Sequence, residues 1–234
     1  MPLKQVIEDI EKQSDQVLCV FDLDSTLFNV SPRTQHILRM YPDQSPEAKT
    51  FGASSEMLRE VIVEPQDWGI KQALSRHQVT GTIDFFESVR EFWMKHFFSG
   101  EFLHIDEPYE GAIDYVNELH KRGAKIIYLT GRDQHRMGES TKKSLLSNNF
   151  PLDEDHLLML KPTTAIRDSV FKAEVFAQLE KDHSTIWFFE NEPVNINVVQ
   201  NLFPQVKMIY MDSTHSGREA VSEDTPTIEL KFDF

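Results

Sequence analysis

Residues 17–27 read VLCVFDLDSTL. Val17 to Phe21 is an unbroken run of apolar and β-branched residues, the length of one strand buried on both faces. Such runs belong to parallel sheets covered by helices on either side. The run ends in Asp22 and Asp24, with Leu23 between them. Residues two apart in extended chain point the same way. Two carboxylates therefore leave the end of a buried strand toward one place. Like charges that close repel unless a cation lies between them or one holds a proton.

Working outward, Leu3–Lys12 has the spacing of a short amphipathic helix, with Leu3, Val6, Ile7 and Ile10 on one face. Ser31-Pro32 predicts a helix start, with Ser31 as N-cap and Pro32 in the first turn, running to about Met40 and stopping before Pro42. From about Tyr41 to Ile105 no strand-like run occurs. Ser54–Ile62 and Ile83–Phe98 have helical spacing. The stripe Phe85, Phe86, Val89, Phe92, Trp93 and Phe97 reads as an aromatic core between helices, with one or two of its rings available to a pocket.

After Pro108 strands and helices alternate. Helices are expected at Tyr109–Arg122 (Gly123 as its C′ residue), Arg136–Asn148, Val170–Lys181 and Pro193–Leu202. Strands are expected at Lys125–Leu129, His156–Leu160, Thr185–Phe189 and Val206–Met211, with Thr227–Phe232 as a candidate edge strand. The alternation implies α/β architecture: a Rossmann-like parallel sheet with helices on both faces and right-handed crossovers. Residues 1–30 and 106–234 form the expected core, and 31–105 an inserted α-helical cap.

The 234 residues carry 24 basic and 38 acidic side chains, a formal charge of −14. That balance argues against binding a nucleic-acid backbone or an anionic membrane, both of which reward clustered Lys and Arg. No stretch has the length and apolarity of a membrane span or a signal peptide. The single cysteine, Cys19, lies inside the first strand. It reads as a core residue and points to a reducing, cytoplasmic setting.

In open parallel sheets ligands bind beyond the C-terminal strand ends, so the residues that follow each strand matter most. Thr130-Gly131-Arg132-Asp133 follows the second strand. A hydroxyl and a glycine there suit a phosphate clamp, because the glycine lets a backbone N–H approach closely. Arg132 is open to contact with phosphate or pairing with an acid. Lys161 follows the next strand, and Lys172 opens the helix after it. Glu190-Asn191-Glu192-Pro193-Val194-Asn195 follows the strand at 185–189. Glu192 also suits a helix start, where the dipole favours an acid.

Asp22-Leu23-Asp24-Ser25-Thr26, the LTGR at 129–132, a lysine downstream and the acidic-amide segment at 190–195 occur in order. Together they resemble the four motifs of the haloacid dehalogenase-like hydrolases. The resemblance implies the family's Rossmann-like core, Mg²⁺ as cofactor and a two-step phosphatase mechanism on a small phosphorylated substrate. It implies catalytic roles for Asp22 (nucleophile), Asp24 (acid and base), Thr130 and Lys172. Lys172 is preferred over Lys161, because relatives usually carry this lysine at the start of the helix before the fourth strand. Substrate contacts are implied for Gly131, Arg132 and Lys161. Metal contacts are implied for Asp22, the Asp24 backbone carbonyl, Glu190 and Asn191. Glu190 stands where relatives have Asp, and Asn191 where the directly ligating Asp normally stands. This departure motivates an alternative, a weakly active or non-catalytic relative that binds a phosphorylated ligand or partner. A phosphotransferase would use the same residues. Arg33, Arg59, Arg76 and His77 lie in the cap, where each is open to contact with a polar substrate but reads first as a solvated surface residue.

Overall fold

The computed structural model describes residues 2–13, 16–153 and 156–234. In chain order the elements are α1 (Pro2–Gln13), β1 (Val17–Phe21), β2 (Phe28–Asn29), α2 (Ser31–Gln44), α3 (Ala48–Phe51), α4 (Ala53–Glu56), α5 (Lys71–Arg76), α6 (Ile83–Phe97), β3 (Glu107–Pro108), α7 (Ala112–Lys121), β4 (Lys125–Asp133), α8 (Gln134–Ser147), β5 (Leu157–Lys161), α9 (Asp168–Leu179), β6 (Thr185–Glu190), α10 (Pro193–Leu202), β7 (Lys207–Asp212) and β8 (Thr227–Glu229).

Six strands form one sheet in the order β5-β4-β1-β6-β7-β8. Every neighbouring pair is parallel. The fold is the α/β Rossmann-like sheet expected from the alternation after Pro108. β1 lies between β4 and β6 and is buried throughout. Its side chains alternate between two cores, as the strand period requires. Val17, Cys19 and Phe21 pack with α1 and α7, while Leu18 and Val20 pack with α9 and α10. The Phe21 ring stacks on Phe189 of β6 with centroids 4.2 Å apart. The polar tail closes the sheet with β8, paired to β7 from Thr227 to Glu229.

Between β2 and β3 the chain is helical, with a core of its own that includes Leu38, Tyr41, Leu58, Leu74, Phe85 and Val89. The chain leaves and rejoins the sheet side by side. Phe28 pairs with Pro108 and Asn29 with Glu107 in a two-residue antiparallel ribbon. The Tyr109 N–H donates to the Leu27 carbonyl beside it at 2.9 Å.

Four local expectations are corrected. α2 runs through Pro42 to Gln44, because Pro42 lies in the last turn and the Ser45 N–H still closes onto Tyr41 O at 3.0 Å. Ser31 is the first helical residue rather than the cap: its hydroxyl and N–H both donate to Asn29 Oδ1, at 2.7 and 3.0 Å. Residues 54–62 break into the short α4 and a 3₁₀ turn at Met57–Glu60 rather than one helix. β4 also continues past Leu129 to Asp133, with a register irregularity against β5 between Thr130 and Asp133.

Candidate active site

β1 delivers Asp22, 5 % exposed, to the C-terminal edge of the sheet. Its N–H donates to Phe189 O at 2.9 Å, which extends the β1–β6 ladder by one bond. The chain then turns sharply through Ser25, whose φ of 64° is left-handed. A non-glycine residue there costs on the order of 1–2 kcal/mol.

Lys172, in the first turns of α9, is 1 % exposed. Its Nζ donates to Asp22 Oδ1 at 2.6 Å and to Glu190 Oε2 at 2.5 Å. Burial raises the Asp22 carboxyl well above the usual carboxylate range, with Lys172 opposing and Glu190 reinforcing that rise. Burial works against the Lys172 charge, but the two carboxylates outweigh it and raise its proton affinity. Of the two candidate lysines, the structure brings Lys172 to Asp22. Lys161 instead donates to Ile166 O at 3.2 Å and to Asp168 at 2.5 Å, and does not line the cavity.

Asp24 has a different environment. Arg33 Nη2 and Arg132 Nη2 each donate to its Oδ1 at 2.7 Å, and Arg132 Nε donates to Oδ2 at 3.1 Å. Both guanidinium groups also reach Asp106. Arg132 donates to Asp106 Oδ2 at 2.9 Å, while Arg33 Nε lies 3.0 Å from Oδ1 in an ionic contact without hydrogen-bond alignment. Two cations and two anions thus form one closed cluster, with Arg33, Arg132 and Asp106 at most 1 % exposed in their side chains and Asp24 30 % exposed toward the cavity. Burial works to raise the Asp24 carboxyl, but Arg132 and Arg33 overcome it and hold it far below the usual range. Burial dominates at Asp106 and pushes it up to about 6 against the same arginines.

The sequence placed Arg33 on the cap surface and did not single out Asp106. The signal for Arg33 was its position in the first turn of α2, nine residues past Asp24. Asp106 had no local signal, because its role arises only when the chain returns through β3. Arg132 pairs with Asp24 and Asp106, whereas Asp133 caps α8 and pairs with Arg136 at 2.7 Å.

Thr130 is 1 % exposed and lines the cavity, its Oγ1 accepting from Arg132 N at 3.2 Å. Gly131 has no room for a side chain: a Cβ there would lie 2.3 Å from Asp168 Oδ2.

The segment after β6 divides the expected metal donors. Glu190 has both oxygens engaged. Oε1 accepts from the N–H groups of Asn191 and Glu192 at 2.9 Å, and Oε2 from Lys172 and from Asn195 Nδ2 at 3.1 Å. Asn191 Nδ2 is anchored on Thr214 O at 2.5 Å, which orients its carbonyl oxygen. The Thr26 hydroxyl lies 3.1 Å from that oxygen and 3.3 Å from Asp22 Oδ2. Among the described residues no three His, Cys, Asp or Glu converge on one point. The donors that do approach one another are mixed: Asp22 Oδ2 and the Asn191 amide oxygen, both beside the Thr26 hydroxyl. Such an oxygen-only set fits a hard cation that keeps several waters. Glu192 acts as the N-cap of α10 and holds Ser216, with its Oε1 accepting from Ser216 Oγ at 2.7 Å.

A cavity of about 420 Å³ opens over these groups, lined by Asp22, Asp24, Thr130 and Lys172 from the core and by residues of the helical segment. The profile of the haloacid dehalogenase-like hydrolases matches residues 17–189, from the start of β1 to the strand end that carries Glu190. The chain belongs to that family.

Among curated relatives, a Bacillus cereus protein named "Putative nucleotidase" is 42 % identical over 48 residues, which are 20 % of this chain and 25 % of that protein. The alignment thus spans a quarter of that relative's length. Among solved structures, a "Putative Phosphatase" from Clostridium difficile superposes with a TM-score of 0.56 at 10 % identity, covering 92 % of this chain and 93 % of that one. A class C acid phosphatase from Bacillus anthracis gives a TM-score of 0.44 at 17 % identity, covering 83 % and 60 %. The likeness to the Clostridium difficile structure concerns the fold alone. Among the described residues no helix is long and apolar enough to cross a membrane.

Proposed function

We propose that this hydrolase is a Mg²⁺-dependent phosphatase acting on a small phosphorylated metabolite through an aspartyl phosphate at Asp22. The observation that carries this reading is the pair Asp22–Lys172, a buried carboxylate held by a buried ammonium at 2.6 Å at the floor of an open cavity. Lys172 fixes one oxygen, which leaves the other to attack. Asp22 attacks phosphorus, the P–O bond to the leaving group breaks, and Asp24 supplies the proton to the departing oxygen. Asp24 then takes a proton from the water that cleaves the phosphoenzyme, which releases phosphate and restores Asp22. The Thr130 hydroxyl, the backbone at Gly131 and Lys172 hold the phosphoryl oxygens as charge redistributes.

The arginine clamp favours the ionised Asp24 that the second step requires. A dianionic ester bound beside it adds negative charge and draws on Arg132, and both effects raise the proton affinity of Asp24 for the first step. Asp22, the Asp24 carbonyl and Asn191 would hold Mg²⁺. When bound, the ion neutralises the phosphate and the nucleophile. The helical segment is assigned as a cap that excludes water and selects the leaving group. A cytoplasmic setting agrees with the buried Cys19, and the charge of −14 disfavours a nucleic-acid substrate.

The test is hydrolysis of p-nitrophenyl phosphate and a panel of phosphate esters, with and without Mg²⁺, by the native chain and by Asp22→Asn. Mg²⁺-dependent turnover that the variant loses supports the reading. Absence of turnover for every ester, with no Mg²⁺ binding by calorimetry at millimolar concentration, favours the alternative of a non-catalytic ligand-binding relative. That alternative is motivated by Asn191, which brings one negative charge fewer to the metal.

A further inference from the structure

The chain leaves β7 at Asp212 and runs along the site before it reaches β8. Thr214, His215 and Arg218 of this stretch line the cavity. Three fastenings hold it. The Ser213 hydroxyl donates to the Ser25 carbonyl at 2.6 Å. The Thr214 carbonyl accepts from Asn191 Nδ2 at 2.5 Å. The Ser216 N–H and hydroxyl donate to the two carboxylate oxygens of Glu192 at 2.8 and 2.7 Å. Ser25, Asn191 and Ser213 are all buried. Residues 213–216 therefore tie the turn that follows Asp22 and Asp24 to the segment that carries Asn191.

The fastening at Thr214 decides the residue type at 191. A backbone carbonyl only accepts, so its partner must donate; an amide side chain has N–H groups to give and an ionised carboxylate has none. The other end of the same amide faces a donor, the Thr26 hydroxyl, at 3.1 Å. The two partners together fix the direction of the amide, nitrogen toward Thr214 and oxygen toward Thr26, whose hydroxyl also lies 3.3 Å from Asp22 Oδ2. An aspartate held in the same way would press a carboxylate oxygen against the Thr214 carbonyl oxygen with no proton between them, and like partial charges that close repel.

We propose that Ser213–Ser216 is a positioning strap that requires an amide at 191, so that Asn191 presents a neutral oxygen to the divalent cation in place of the carboxylate that relatives carry. The proposal rests on the Mg²⁺ reading of Asp22 and Asn191 and names what holds one of those donors. Asn191 is then matched to the strap and is not a loss of the site. Groups that orient a metal donor from behind typically carry a roughly 10–100-fold effect on metal affinity.

A double-mutant cycle tests it, read by the Tm of the metal-free protein and by calorimetric titration with Mg²⁺. Ser213→Ala with Ser216→Ala removes both hydroxyl fastenings and leaves Asp22 and Asn191 in place. This loosened chain is expected to bind Mg²⁺ about tenfold more weakly than the native chain, the low end of the range for such partners. In the native background, Asn191→Asp is expected to lower Tm and to bind Mg²⁺ no more tightly than the native chain, despite its added charge. In the loosened background the same exchange should lower Tm by less and tighten Mg²⁺ about tenfold, because the carboxylate can then turn to the ion. The added charge is the same in both backgrounds, so the difference between them isolates the strap. Equal effects of Asn191→Asp in the two backgrounds, or Mg²⁺ affinity unmoved by the paired serine exchanges, overturns the proposal. Failure of the Mg²⁺ reading looks different: no variant binds the ion, while the unequal Tm costs of Asn191→Asp persist.

Discussion

At the scale of single residues, the site holds two aspartates two positions apart whose proton affinities are shifted in opposite directions. Asp22 is raised by burial, and Asp24 is held ionised by two arginines. Lys172→Ala is expected to lower kcat by at least a hundredfold and to destabilise the fold by about 3–5 kcal/mol, because Asp22 and Glu190 lose their shared cation in a buried place. Lys161→Ala should leave kcat within a fewfold, since Lys161 only ties Asp168 to the Ile166 carbonyl. Kinetics and chemical denaturation of the two variants provide the check. Asp106 permits a test through pH. Its proton affinity is raised in the folded state to about 6, so between roughly pH 4 and 6 the folded chain binds more protons there than the unfolded one. Its contribution to stability is full below about pH 4 and lost as pH rises through 6. The difference in Tm between the native chain and Asp106→Asn should therefore be more favourable to the native chain at pH 4 than at pH 7. A pH-independent difference would contradict the assignment.

At the scale of elements, much of the site was legible because its residues follow strands. β1 with Asp22 and Asp24, the Thr130-Gly131 turn and the 190–195 segment were each placed by an apolar run that ends in a polar cluster. Lys172 over Lys161 was legible only through the resemblance, and its distance to Asp22 agrees with that preference. The Arg33–Asp24–Arg132–Asp106 cluster was not legible as a whole. It joins α2, the turn after β1, the end of β4 and the segment before β3, which no spacing along the chain connects. Helical spacing suggested one element at 54–62, but the aromatic packing around Phe85 and Leu58 set shorter pieces. The cluster's coupling is measurable by a double-mutant cycle. Arg33→Met alone should cost about 3–5 kcal/mol by leaving two carboxylates against one arginine. Arg33→Met with Asp106→Asn should cost less than the sum of the singles by roughly 1–3 kcal/mol. Strict additivity in urea denaturation would show that the two side chains do not act together.

At the scale of the whole molecule, the charge of −14 sets a self-repulsion that the fold must overcome. Raising NaCl from about 10 to 200 mM shortens the Debye length from roughly 30 Å to under 10 Å. Tm should therefore rise by a few degrees, and a scanning fluorimetry series in NaCl would show it. A fall in Tm over that range would mean that the surface ion pairs outweigh the repulsion.

The paired β2–β3 ribbon has a consequence for how the chain folds. β1 must find β4, with Phe21 opposite Tyr128, across about a hundred residues. Phe28 and Asn29 meet Pro108 and Glu107 at the base of the helical segment. Once that ribbon has zipped, the remaining loop from β1 to β4 is only about a quarter as long, and closing it costs roughly 1 kcal/mol less entropy. The helical segment can therefore condense on its own local contacts, and the central parallel pairing then behaves as a short-range event. Loosening the ribbon should slow refolding more than it speeds unfolding, a signature that stopped-flow traces would reveal as a larger shift in the folding limb than in the unfolding limb.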